Sequence, residues 1–323
     1  MIDVVIPAHS KDIDTLDLCI NGIRDNVKNV RRIIVVSKDK LTDNAEFYCE
    51  KDFPFSFDDV GDIVGYHWKT FNYYGGLIQT TAALVIPDLE RDVLICDADT
   101  IFLKETEFVN KEDIALYNVS YDIPSHITMH PYLEHMDKLI PGLTKQTRYS
   151  GICHHMLIQQ DILQEMFDRV EAIHKMPFWK ADISVTLQNY KSLNPVRSHA
   201  DAPLLFTTYE LYFNYVMRYH LDRVAIRPQK SILAYKGRMG VKEEIVHNFP
   251  SRTNLSGNVQ ILTAEEEKDF SFETFKDSCE YISQRCKKEG WEVVTFQNHT
   301  RMGTDKHRNS CQVEVDEILA NKS

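Results

Sequence analysis

The first forty residues constrain the fold more than any other stretch. Ile2-Asp3-Val4-Val5-Ile6-Pro7 is a β-branched apolar run, residues 32–37 form a second one, and between them Ile13, Leu16, Ile20, Ile23 and Val27 recur at spacings of three and four. That spacing describes one apolar face of a helix, and the flanking runs read as buried strands. A strand, helix and strand in this order favour a parallel, doubly wound sheet with right-handed crossovers. The expected fold class is α/β: a mixed, mostly parallel sheet flanked by helices.

The rest of the chain continues the alternation. Residues 63–68 read as a short strand, 76–86 as a helix stopped by Pro87, 93–96 as a central strand and 114–118 as another. Residues 126–149 are polar, rich in histidine and punctuated by proline, and read as loop. Residues 150–158 read as a strand, followed by a helix with Ile162, Met166, Phe167, Val170 and Ile173 inward. Helices at 179–190 and 209–219 come next, then strands at 224–227 and 232–235, a helix at 272–287 and a strand at 293–296. With no composition seam, repeat or low-complexity tract, one domain is expected over 1–323, its first half 1–120 and its second 121–323.

Charge and cysteine usage exclude some classes. A net charge of −11 and an isoelectric point near 5.6 give no footprint for nucleic acid or an anionic membrane. Met1 leads straight into the first strand without a signal peptide's basic start, and no apolar stretch is long enough to span a bilayer, so a soluble cytoplasmic chain is expected. The seven cysteines are scattered with no CxxC pair, which reads as reduced thiols and no zinc knuckle.

The chemistry centres on Val93-Leu94-Ile95-Cys96-Asp97-Ala98-Asp99-Thr100-Ile101-Phe102-Leu103. An apolar strand ends in two carboxylates one residue apart, then apolar character resumes. Mg²⁺ or Mn²⁺ held by one or two carboxylates plus substrate phosphates is the usual arrangement in phosphate-handling sites, and open α/β sheets gather ligands beyond the carboxyl ends of their strands. The competing reading is a surface turn, where aspartate is common.

The ordered set formed by Ile6-Pro7-Ala8-His9, Val35-Val36-Ser37 and the Asp97-x-Asp99 strand end resembles the metal-dependent GT-A-fold (Rossmann-like) nucleotide-sugar glycosyltransferases. Ser150-Gly151, His154-His155-Met156 and Tyr209-Glu210-Leu211-Tyr212 further resemble a little-characterised bacterial and large-virus branch of them. The match covers residues 1–220 by order of motifs. One departure lies in the helix before the metal strand, where only Gln79 is retained of that branch's Trp, paired Gln and Lys. The resemblance implies a transfer from a nucleoside diphosphate sugar (UDP- or GDP-linked) to a hydroxyl of a glycan or other acceptor. It implies Mn²⁺ or Mg²⁺ on Asp97 and Asp99, with His299 as a third ligand or a diphosphate donor. Ala8, His9, Asp12, Ser37, Lys38 and Gln79 are then candidates for nucleotide-sugar contacts, beside Asp97, and His154, His155 and Tyr209 for substrate contacts.

A sugar transfer that inverts configuration also needs a base for the acceptor hydroxyl. Glu210, opening a helix with Leu211, Tyr212, Tyr215, Val216 and Tyr219 on its apolar side, is the candidate. Thr207-x-x-Glu210 equally reads as a capping box. His126, His130 and His135 fit no HExxH zinc pattern, and Pro131 interrupts any helix joining them, so they read as loop residues near the acceptor. Two other functions stay open: a haloacid-dehalogenase-type phosphatase with Asp97 as nucleophile, although Thr100 stands one position too early for it, and a non-catalytic glycan-binding relative.

Overall fold

The computed structural model describes residues 1–67, 69–120, 131–193, 208–227, 229–237, 240–248 and 275–297, with 313, 315–317 and 319–320 near the C-terminus. In chain order the elements are β1 (Ile2–Pro7), α1 (Ile13–Asn26), β2 (Val30–Ser37), β3 (Glu46–Cys49), α2 (Phe57–Val64), α3 (Thr70–Val85), β4 (Asp92–Cys96), β5 (Thr100–Phe102), β6 (Ala115–Tyr117), α4 (Pro131–Leu139), β7 (His155–Gln159), α5 (Gln160–His174), α6 (Phe178–Leu193), α7 (Thr208–Tyr219), β8 (Val224–Ile226), β9 (Lys230–Gly237), β10 (Gly240–Asn248), α8 (Phe275–Lys288) and β11 (Val293–Gln297). The main sheet has the order β3-β2-β1-β4-β7, parallel throughout except for β7, which runs antiparallel to β4. The mostly parallel sheet flanked by helices that the sequence suggests is thus what the chain forms.

The order has a consequence for ligands. From β1 the chain crosses through α1 to β2 on one side, whereas β4 lies against the other side of β1. The turns after β1 and β4 therefore leave the same sheet edge in opposite directions, and a crevice opens at such a switch point. All five residues of β4 are buried, as a strand covered on both faces requires. One core cluster runs from Ile2 to Val293 and includes residues of both halves of the chain.

A second sheet, β10-β9-β11-β5, begins where β4 ends. The apolar run 93–103 is two strands in two sheets, divided at the carboxylates. β5 packs under α1 at Gly22, where an added Cβ would come within 3.0 Å of the Phe102 backbone, so the close approach needs glycine. β6 and β8 form a separate parallel pair.

Four expectations need correction. Residues 63–68 are not a strand: 63 and 64 end α2, whose start is fixed by a capping box in which the Ser56 N–H donates to Asp59 Oδ2 (2.7 Å) and the Asp59 N–H to Ser56 Oγ (3.1 Å). Within 126–149, residues 131–139 form α4, because proline suits the first helical position, where no N–H is needed. The strand expected over 150–158 starts only at His155, since His154 takes a left-handed backbone conformation (φ 61°). Ile13 and Ile173, expected on apolar helix faces, stand 52% and 42% exposed. Among the described residues no helix is long and apolar enough to cross a membrane.

Candidate active site

Asp97-Ala98-Asp99-Thr100 is a turn closed by the Thr100 N–H donating to Asp97 O (3.0 Å). Both carboxylates are half-buried at the carboxyl end of β4. Antiparallel pairing sets Cys96 opposite His155, which brings the next residues, Asp97 and His154, side by side. The Asp97 N–H donates to His154 O (2.9 Å), and the His154 ring nitrogen Nδ1 lies 3.0 Å from Asp97 Oδ2. His154 pays for this position with an uncommon positive φ, a kind of strain that collects at functional sites.

Two more side chains converge on Asp97. The Gln79 amide, from α3, donates to Asp97 Oδ1 (2.6 Å), and the Tyr209 hydroxyl, from the first turn of α7, donates to the same oxygen (2.7 Å). Gln79 also donates to the Tyr209 oxygen (2.8 Å), closing a triangle. Burial first, and the Asp97 charge second, push the Tyr209 phenol well above its usual range, so it stays a donor. Four expected site residues, Gln79, Asp97, His154 and Tyr209, therefore form one cluster.

Behind the turn, the Phe296 N–H donates to Asp99 O (2.9 Å), and Thr100 and Thr295 share a hydroxyl contact of 3.0 Å. β11 thus runs toward the carboxylates. His299, like His126 and His130, lies outside the described residues. Ser120, Cys153, His154 and Thr295 line a narrow cleft here. A larger concavity around Arg24, Arg31 and Arg32 lies at the amino end of β2, away from the strand ends that carry the chemistry. There Arg31 and Arg32 are paired with Asp3 and Glu46.

The loop after β1 is already organised. His9 caps a short turn: its N–H donates to Asp12 Oδ2 (3.0 Å), and its ring meets Phe71 edge to face at 6.2 Å. Ala8 N–H bonds Val36 O, which ties this loop to β2. Ser37 is buried with its hydroxyl donating to Asp39 O (2.7 Å), whereas Lys38 is exposed.

Two histidines and Glu210 sit differently from expectation. His155 turns inward between Phe102 and Phe108 and is 2% exposed, so it has no route to a phosphate or acceptor at the surface. Arg227 donates twice to Asn118 Oδ1 (3.0 and 2.9 Å), which leaves the Asn118 NH₂ to donate to His155 Nε2 (2.5 Å). His135 is a buried tie between α4 and α6, its Nε2 3.1 Å from Asp182 O, rather than a loop residue near an acceptor.

Glu210 does not open onto the cleft. It is 0% exposed, and its carboxylate accepts from Ser150 Oγ (2.6 Å), the Gly151 N–H (2.8 Å), Asn214 Nδ2 (3.0 Å) and Lys145 Nζ (3.5 Å). Sequence reading missed Lys145 and Asn214; the i,i+4 spacing of Glu210 and Asn214 was the available signal. Thr207, the other half of the expected capping box, lies outside the described residues. Gly151 permits the contact, because a Cβ there would meet Phe213 Cβ at 2.4 Å and Tyr209 O at 3.0 Å.

His155 also carries a pH dependence. Burial, then the neighbouring Arg227 and His154, push its imidazole down to about 3. An unfolded histidine titrates near 6.5, so between about pH 6.5 and 3 the unfolded chain binds the extra proton and stability falls as the pH drops, by up to about 1.4 kcal/mol per unit. Thermal midpoints measured from pH 7 to 4 are expected to decline less steeply in His155→Gln, whose oxygen still accepts from Asn118. Equal slopes would remove His155 from the acid response.

No protein-family profile matches the chain, and no curated protein matches it in sequence. Among solved structures, a crystal structure of an active-site mutant of LgtC is similar over 63% of this chain and 85% of that one, at 12% identity and a TM-score of 0.35. So loose an overlap carries no argument about this chain's activity.

Proposed function

We propose that the chain is a divalent-metal-dependent glycosyltransferase of the GT-A kind, one domain over 1–323, taking a nucleoside diphosphate sugar as donor and a hydroxyl of a glycan or other molecule as acceptor. The observation that carries this reading is the Asp97–Asp99 turn at the β1/β4 switch point, with Asp97 braced by Gln79, Tyr209 and His154. Among the described residues no three His, Cys, Asp or Glu side chains gather as a cage. A cation shared between carboxylates and substrate phosphates does not need one. The donor set fits: Asp97 Oδ1 already accepts twice, but among the described residues Oδ2 faces only His154 and keeps accepting capacity, with Asp99 two residues on. Bound Mn²⁺ or Mg²⁺ would act as a Lewis acid, meeting the charge that develops on the leaving diphosphate.

Asp97 and Asp99 hold the metal in this reading, and His299 follows β11, the strand that reaches Asp99, as a further ligand. The capped loop of Ala8, His9 and Asp12, with Ser37 and Lys38 beside it, contacts the nucleotide, Lys38 being the exposed cation of the set. A general base has to reach the proton it takes. Glu210, enclosed by four donors, therefore holds the 145–151 loop against α7 instead.

The test is a thermal-shift panel of UDP-, GDP-, CMP- and dTDP-linked sugars with and without Mn²⁺. Ligand at 100 times its Kd stabilises the native state by about 2.7 kcal/mol. A shift of several degrees for one nucleotide, present only with Mn²⁺, is expected and names the donor class. Absence of any shift across the panel would overturn the proposal in favour of a phosphatase or a binding protein.

A further inference from the structure

We infer that Tyr209 and Gln79 are positioning residues for the metal carboxylate, committed to Asp97 rather than to donor or acceptor. The inference rests on the metal reading above and extends it to side chains two other helices supply. The three groups form a closed triangle: the Gln79 amide donates to Asp97 Oδ1 (2.6 Å) and to the Tyr209 oxygen (2.8 Å), and the single Tyr209 hydrogen goes to Asp97 Oδ1 (2.7 Å). Oδ1 is thereby saturated with two donors. These two donors restrain the carboxylate's rotation, and Oδ2 is the oxygen that would take a cation.

The brace is built from rigid parts. Tyr209 is 5% exposed and sits one residue before Glu210, whose carboxylate, held by four donors, fixes the first turn of α7. Gln79 stands inside α3, which packs on β1, β4 and α7. Partners of this kind, hydrogen-bonded to a ligating carboxylate, orient it, and their loss costs 10–100-fold in metal affinity.

The measurement is Mn²⁺ affinity by electron paramagnetic resonance, in the presence of pyrophosphate, with the thermal midpoint of each variant recorded alongside. Tyr209→Phe keeps the buried ring and removes only the hydroxyl. It is expected to weaken Mn²⁺ binding 10–100-fold, and Gln79→Leu by a similar factor. The double variant is expected to fall well short of the product of the two, because the three groups act as one unit. Mn²⁺ affinity that is unchanged or tighter in both single variants would overturn the inference, since a purely structural hydroxyl would lower the midpoint and leave the metal alone. Should Tyr209→Phe fail to fold, Gln79→Leu, at a half-buried position, decides the question by itself. A wild-type chain that binds no Mn²⁺ would instead sink the metal-dependent function, an outcome distinct from a wild type that binds and variants that bind equally well.

Discussion

Asp97→Asn is expected to abolish Mn²⁺-dependent nucleotide binding while leaving the thermal midpoint nearly where it was. The two halves of this expectation come from different atoms of one side chain. Oδ1 accepts from Gln79 and Tyr209, and an amide oxygen can accept both bonds as well. On the other side an NH₂ would face His154 Nδ1, which accepts once the imidazole proton sits on Nε2. Asp97 is 27% exposed, so losing its charge exposes no stranded partner in the core. What the substitution removes is an anionic oxygen at the position a hard cation needs, and that loss should exceed the 10–100-fold typical of a group acting through another. The check pairs the Mn²⁺-dependent thermal shift with circular dichroism of the free variant. A retained shift would take the metal away from Asp97.

The same residues show how far local pattern carries. β1, α1 and β2 were legible because interior parallel strands and an amphipathic helix each leave a periodic trace within a few residues. α2 could have been found from Ser56 and Asp59, whose capping spacing is in the sequence, but its last two residues read as the start of a strand over 63–68. β5 could not. It is three residues long, and its partner β11 is nearly 200 positions away, so only tertiary pairing makes it a strand.

The candidate site divides in the same way. Asp97 and Asp99 announce themselves, as two charges interrupting an apolar run. Gln79 and Tyr209 stand 18 and 112 residues from Asp97, and their roles became visible only when α3 and α7 packed together beside the turn that follows β4. His154 and His155 were both legible as candidate contacts. Which of them meets Asp97 is decided by the β4/β7 register, a one-residue matter that sequence does not set.

Glu210→Gln is expected to destabilise the fold by roughly 3–5 kcal/mol, the range for breaking a buried charged network by removing one partner. The change is nearly isosteric, so the cost is one of hydrogen-bond sense. One carboxylate oxygen accepts from Ser150 Oγ and the Gly151 N–H, the other from Asn214 Nδ2 and Lys145 Nζ. Whichever way the amide is turned, its NH₂ meets a backbone N–H or an asparagine NH₂ that cannot reverse, and Lys145, 10% exposed, loses its counter-charge. Anionic character near the start of α7 is lost as well. A capping residue alone would cost no more than about 2 kcal/mol, so the size of the effect separates a buried anchor from a cap. Urea denaturation of the variant, read beside turnover at a temperature where it remains folded, separates both from a base. An anchor predicts a large fall in stability with residual turnover in the folded fraction, because loss of the 145–151 anchor displaces the cleft wall without removing a reacting group. Full stability with turnover reduced a thousandfold would instead place Glu210 at the reacting atoms.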